Sequence, residues 1–206
     1  KKKILCFSTP FDIESVKLLE RLKTPIYKIA SFEINHIPLL ETVGKTKKPV
    51  IISTGMADIK DVELAVKTLK KNGSKDIAIL HCLSSYPSKP HNYNLNFINE
   101  LKKFKLPVGL SDHTIGNIVA ISSVGLGVKI FEKHIKLDDT KGIDSKFSTN
   151  LKEFKNYVND IHLSFQSMGT KKFDRSKLEG ASKKHRRSIF ISKDVIKNDI
   201  ISEENI

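Results

Sequence analysis

The chain has no tryptophan, two cysteines, two methionines and no apolar run near the roughly 20 residues that a membrane helix needs. Too few cysteines are present for a disulfide-stapled scaffold, and no membrane partner is expected. Cys6 and Cys82 stand inside apolar runs without metal-type pairing and read as two reduced core thiols of a cytosolic protein. Lys1 to Lys3 followed by Ile4 to Phe7 imitates the start of a signal peptide, but Ser8, Thr9, Pro10 and Asp12 break the apolar stretch at once, so a cytoplasmic location is expected. With 10 Gly, 7 Pro, 39% hydrophobic and 29% charged residues, the composition fits neither disorder nor a collagen-like repeat. A length of 206 residues allows one domain with a sizeable core, or one domain and a fragment of a second.

Acidic residues are in deficit: 23 Asp and Glu face 36 Lys and Arg, a net charge of +13. The lysines are spread along the chain, with tighter runs only at Lys1 to Lys3 and Lys183 to Arg187, and no RNA-type aromatic motif or zinc-finger spacing accompanies them. The charge therefore reads as a solvated basic surface that concentrates anionic substrates, with no nucleic-acid partner.

Short β-branched runs recur at Ile4 to Phe7, Ile26 to Ile29, Pro49 to Ile52, Ile77 to Leu80, Pro107 to Leu110 and Lys129 to Phe131. Apolar on both faces, they suit buried parallel strands. Between them lie amphipathic segments at Ile13 to Arg21, Ile37 to Val43, Asp58 to Asn72, Leu95 to Phe104 and Ile118 to Gly125. The alternation is βα repeated six times, which makes an open doubly wound sheet or most of an eight-unit barrel. Every strand end runs into polar chemistry, as expected where all ends meet at one mouth, and this favours the barrel. Leu151 to Met168 reads as a closing helix, 170–187 as a basic linker, and 188–206 as the beginning of another domain, with a strand-like Ile189 to Ser192.

His113 and His134 follow what would be neighbouring strands about 4.8 Å apart. Two imidazoles in one mouth suit Mn²⁺, Co²⁺, Fe²⁺ or Zn²⁺; the alternative is a pair of hydrogen-bonded structural histidines. Ser8, Thr9, Ser31, Ser53, Thr54, Ser84, Ser85 and Ser111, with Lys28, form a ring of donors around a cation, the chemistry that a phosphate or carboxylate needs. Ser8, Thr54 and Ser85 read better as caps or turn residues. Glu33 and Asp144 are the acids best placed for proton transfer or for orienting a sugar hydroxyl. Asp112, next to His113, points the other way and reads as structural.

Ser8-Thr9-Pro10-Phe11-Asp12, Tyr27 to Glu33, Ile52-Ser53-Thr54-Gly55-Met56, His81-Cys82 through Ser84-Ser85-Tyr86-Pro87, Gly109 to Thr114 and Glu132-Lys133-His134 together resemble the sialic acid synthase family, in family order over roughly residues 5 to 170. Gly142 to Ser148, with Asp144 followed by Ser145, and Ser84 are more similar to the pseudaminic acid synthase branch. The resemblance implies an α/β fold, the (β/α)8 TIM barrel, present here as strands three to eight over 1–169, lacking its first two βα units, and followed from 188 by the start of an antifreeze-like (SAF) domain. It implies condensation of phosphoenolpyruvate with an N-acetylated amino sugar, of the 2,4-diacetamido-2,4,6-trideoxy-altrose type, to a nonulosonic acid and phosphate. Thr9, Lys28, Ser31, Ser53, Ser84 and Ser111 would surround phosphoenolpyruvate. His113 and His134 would hold a divalent ion (Mn²⁺, Mg²⁺ or Co²⁺), Glu33 and Lys28 would serve the reacting atoms, and Tyr86 and Asp144 would position the sugar. It further implies a domain-swapped homodimer at full length. Without the first two units the chain alone is expected to be inactive, and the alternative is an incomplete paralogue that binds a sugar phosphate or a partner subunit.

Overall fold

A computed structural model of the chain describes residues 4–137, 141–170 and 176–206. The Lys1 to Lys3 run and residues 171–175 of the expected linker lie outside them. Two compact units are present, Lys1–Met168 and Gly169–Ile206.

In the first unit, five strands, β1 (Tyr27–Ile29), β2 (Val50–Ser53), β3 (Ile77–Cys82), β4 (Val108–Asp112) and β5 (Phe131–Lys133), form one parallel sheet in sequence order. Helices α1 (Ile13–Arg21), α2 (Ile37–Lys45), α3 (Ile59–Lys71), α4 (Ile98–Leu101), α5 (Ile118–Gly125) and α6 (Leu151–Met168) alternate with them. Local chemistry sets their starts. Asp12 accepts from the Ser15 amide at 2.6 Å ahead of α1, and Asp58 with Asp61 closes a reciprocal capping box on α3. Gly169, at φ +58°, follows the end of α6.

Alternation along each strand sorts side chains onto two faces. Tyr27, Ile29, Ile52, Ile79 and Leu110 are fully buried on the outer face, against apolar residues of the helices such as Leu40, Val62 and Ala120. The inner face carries Lys28, Ile51, Ser53, Leu80, Cys82, Gly109, Ser111 and Glu132. A Cβ on Gly109 would lie 2.3 Å from Leu80 Cδ2 and 2.7 Å from the Ile130 carbonyl, so only glycine fits this crowded inner position.

One distance separates the two candidate architectures. In a flat five-stranded sheet, β1 and β5 would stand about 19 Å apart, farther than two extended side chains reach. Yet Lys28 Nζ on β1 lies 3.3 Å from Glu132 Oε1 on β5. The sheet is curled into an open half-barrel, and its strand C-termini converge.

Several expectations need correction. Ile4 to Phe7 is not a strand: Ser8 alone bridges Tyr27, and Ile4 and Leu5 are 78% and 70% exposed, because one bridge on one side does not hold a chain in a sheet. Cys6 is consequently exposed and not a core thiol, whereas Cys82 is buried. The helix expected over Leu95 to Phe104 is a single α-turn between two 3-10 turns, bracketed by Asn94 and Lys105 in left-handed backbone. The final strand begins at Phe131, two residues later than expected. In the second unit, Ile189 to Ser192 forms no strand among the described residues. Ile189 and Phe190 stay exposed because 38 residues offer them no core. Among the described residues, no helix is long and apolar enough to cross a membrane.

Candidate functional site

The inner face polarises toward the strand ends. Register places Cys82, Ser111 and Glu132 at one level, and the next inward positions belong to Ser84, His113 and His134. The His113 and His134 rings face each other with centroids 5.3 Å apart. His113 Nδ1 lies 2.8 Å from the Leu83 carbonyl. A carbonyl only accepts, so Nδ1 carries the proton and the neutral ring presents a bare Nε2 to the mouth, 3.5 Å from Ser111 Oγ. Burial holds both histidines below the usual range, and for His134 the neighbouring His113 adds to the effect.

Aromatic rings wall one side. The Tyr86 ring lies tilted against His113 at 4.3 Å, and Phe147 lies 4.9 Å from Tyr86 and 5.0 Å from His134. Phe32, Tyr86, His134, Ile143, Asp144 and Phe147 line a cavity of about 390 Å³. Burial raises the Tyr86 hydroxyl pKa, keeping it protonated. Asp144 Oδ2 lies 3.8 Å from His134 Nδ1, beyond direct hydrogen-bonding reach.

Opposite the rings lies a cradle of small groups. Ser31 Oγ donates to Cys82 Sγ at 3.5 Å. Gly55 has φ +40°, and a Cβ there would come within 2.2 Å of Ser31 Cβ and 2.5 Å of Ser84 Oγ. Only glycine tolerates both the backbone angle and the approach. Three buried oxygens, Ser53 Oγ, Ser84 Oγ and Glu33 Oε2, have no hydrogen-bond partner among the described residues. Buried polar atoms are ordinarily satisfied, so these oxygens have bonding capacity to offer a polar guest.

The structure thus brings together Ser31, Ser84, Tyr86, Ser111, His113, His134 and Asp144 through a chain of contacts, with Lys28 on the same face. Ser53 is on the same face. Thr9 is half-buried and, one residue beyond the Ser8 bridge, level with Lys28; no hydrogen bond joins it or Glu33 to this cluster. Two residues escaped the sequence reading. Glu132 pairs with Lys28, and Cys82 touches both Ser31 and, at 3.9 Å, His113. Both lie two residues before a chosen site residue, so strand parity alone pointed to them. Asp112 faces outward, accepting from the Thr114 amide and hydroxyl and from Lys133.

Among the described residues no three His, Cys, Asp or Glu side chains cluster as metal ligands. The two neutral imidazoles fit an ion that completes its shell with water and substrate oxygens.

The sequence pattern of the NeuB family matches residues 1–173. The chain is 43% identical over 206 residues to an uncharacterised protein of Methanocaldococcus jannaschii, covering 98% of this chain and 61% of that protein. It is 38% identical to a pseudaminic acid synthase of Campylobacter jejuni and 40% identical to an N,N'-diacetyllegionaminic acid synthase of the same species, covering 98% and 100% of this chain and 60% and 63% of those proteins. The chain therefore spans about three-fifths of the length of these curated relatives. The crystal structure of an N-acetylneuraminic acid synthetase from Leptospira borgpetersenii, in complex with citrate, superposes with a TM-score of 0.80 at 36% identity, over 89% of this chain and 65% of that one. A phospho-2-dehydro-3-deoxyheptonate aldolase of Thermotoga maritima, at 16% identity and a TM-score of 0.68 over 79% of this chain and 51% of that one, shares the fold.

Proposed function

The chain belongs to the NeuB family, and we propose that its mouth serves the condensation of phosphoenolpyruvate with an N-acetylated amino sugar to give a nonulosonic acid and phosphate. The observation that carries this reading is the row of Lys28, unpartnered serine hydroxyls and two facing histidines on one inner face.

In the reaction, carbon 3 of the enol bonds to the sugar's aldehyde carbon, whose oxygen takes up a proton. Water adds its oxygen at carbon 2 and gives up a proton, balancing the one taken up by the aldehyde oxygen; the carbon 2 hydroxyl then becomes the ketone as the bond from carbon 2 to the phosphate oxygen breaks, and its proton leaves with phosphate. His113 and His134 would hold a divalent ion (Mn²⁺, Mg²⁺ or Co²⁺) that supplies Lewis acidity to the aldehyde oxygen. Lys28 supplies the cation for the phosphoenolpyruvate anion, which displaces Glu132 as its partner. Ser31, Ser53, Ser84 and Ser111 donate hydroxyl hydrogen bonds to the same anion, with Thr9 at the flank. Glu33, with one buried oxygen free of partners, handles the proton near the reacting carbons. Tyr86 and Asp144 orient the sugar, and Phe147 offers an apolar wall within the same cavity.

The relatives' identities, 38% and 40%, do not separate the pseudaminic from the legionaminic type. Phe147 suits the methyl group of a 2,4-diacetamido-2,4,6-trideoxy sugar where N-acetylmannosamine has a hydroxyl, and among such sugars we assign the altrose type from the likeness of Gly142 to Ser148 and of Ser84 to the pseudaminic branch. An apolar wall rejects an added hydroxyl only modestly, by about 10². The reading also includes work in the cytoplasm on small molecules, a SAF domain beginning near 188 and a domain-swapped homodimer. Calorimetric titration of the chain with each sugar in the presence of phosphoenolpyruvate and Mn²⁺ tests it. The diacetamido sugar should bind more tightly than N-acetylmannosamine; a preference for N-acetylmannosamine would overturn the substrate assignment, and binding of neither would overturn the reading.

A further inference from the structure

His113 is held almost entirely by one neighbouring segment, the stretch between β3 and α4. Its Nδ1 proton goes to the Leu83 carbonyl at 2.8 Å, and its own carbonyl accepts from the Ser88 amide at 2.9 Å. Its amide donates to the Tyr93 hydroxyl at 3.4 Å. That hydroxyl in turn donates to the Ser111 carbonyl, two residues upstream on the same strand. Tyr93 thus bridges the backbone on either side of Asp112, at the point where β4 ends and delivers His113 to the mouth.

Tyr93 is itself fixed. It is 1% exposed, sits between 3-10 turns at Pro90–Asn92 and Leu95–Phe97, and is followed by Asn94 in left-handed backbone. Its carbonyl accepts from His81 Nε2 at 2.7 Å, and its ring meets the His81 ring edge-on at 5.6 Å. His81 lies on the outer face of β3, so two strands anchor one tyrosine, and the tyrosine anchors one histidine.

We propose that Tyr93 is a positioning residue: its hydroxyl fixes the end of β4 and with it the His113 ring beside that of His134. This rests on the reading of His113 as a metal ligand. Groups that orient a ligand from behind typically change metal affinity by about 10- to 100-fold when removed.

Tyr93→Phe keeps the ring and its packing on His81 while deleting the hydroxyl. Mn²⁺ affinity of the chain, read by electron paramagnetic resonance, should fall at least about ten-fold in the variant. Backbone amide exchange at His113 should accelerate, a metal-free readout that a general loss of stability would not confine to this residue. His113→Ala, measured in parallel, should abolish high-affinity binding. If His113→Ala abolishes it while Tyr93→Phe matches the unaltered chain in both affinity and His113 exchange, the proposal fails and the two-histidine reading stands. If His113→Ala binds Mn²⁺ normally, the metal reading fails, and His113 exchange alone decides Tyr93: faster exchange in Tyr93→Phe upholds it as the anchor of β4, and unchanged exchange overturns it.

Discussion

Glu132 and Lys133 are adjacent on β5, point to opposite faces, and each joins an ion pair of opposite character. Lys133 meets Asp112 at 3.0 Å on the outer face, with side chains only 2% and 0% exposed. Asp112 also accepts from the Thr114 amide and hydroxyl, and Lys133 donates to the Thr114 carbonyl and lies over the Tyr157 ring. Glu132 meets Lys28 at 3.3 Å on the inner face, with the glutamate 40% exposed. The outer pair is sealed and saturated, and it fixes the ends of β4 and β5. The inner pair is half-open, next to hydroxyls that have no partners. One pair is architecture; in the proposed function the other holds the cation for the substrate anion.

The sharpest way to break this comparison is to cut the outer pair. Lys133→Met leaves a fully buried carboxylate without its cation, and removing one partner of such a pair typically costs about 3–5 kcal/mol. Urea unfolding should register a loss of that order, and a change under about 1 kcal/mol would show that the outer pair is not structural. Next is Gly55→Ala, which forces a methyl group against Ser31 from a left-handed backbone position. Overpacking of this kind costs about 1–3 kcal/mol, and a neutral result would mean that the cradle yields easily.

A third effect depends on pH. Burial depresses the pKa of His81, with the Tyr93 carbonyl opposing, and burial likewise lowers His113 and His134. The unfolded chain therefore binds protons first as pH falls through about 6.5. Stability is present above that value and drains away below it, toward the depressed folded values. The urea midpoint should fall between pH 7.5 and 5.5, and the fall should persist in a His113→Ala/His134→Ala variant because His81 remains; a flat profile in that variant would remove His81 from the account. Smallest is the effect of Lys28→Met on stability, about 1 kcal/mol, since methionine refills the space of the buried lysine stem and the Glu132 carboxylate left behind is 40% exposed and stays hydrated. A loss as large as that of Lys133→Met would erase the distinction between the two faces.

Much of this was legible in the sequence. The βα alternation, the closing helix and the polar strand ends follow from apolar periodicity, and the outward direction of Asp112 follows from placing His113 inward. Apart from the family resemblance, the barrel rests in the sequence on those ends, because the curl that brings Lys28 to Glu132 depends on all five strands at once. Parity would have found Glu132, yet its adjacency to Lys133 hid which of the two charges faces the mouth. Tyr93 carried no local signal, since its role arises from contacts with β3 and β4 that sequence spacing does not encode. Ile4 to Phe7 and Ile189 to Ser192 look like strands by propensity alone, and only a ladder of pairing with a neighbour, which β5 has with β4 and Ile4 to Phe7 lacks, holds a strand in place.

The central claim is that the inner face is built to hold an anionic substrate through Lys28. Titration of phosphoenolpyruvate into the unaltered chain, Lys28→Met and Lys133→Arg, each with Mn²⁺ present and each verified as folded, tests it most directly. Saturable binding that weakens at least about ten-fold in Lys28→Met, and changes little in Lys133→Arg, is the predicted result. Equal binding by the unaltered chain and Lys28→Met would contradict it.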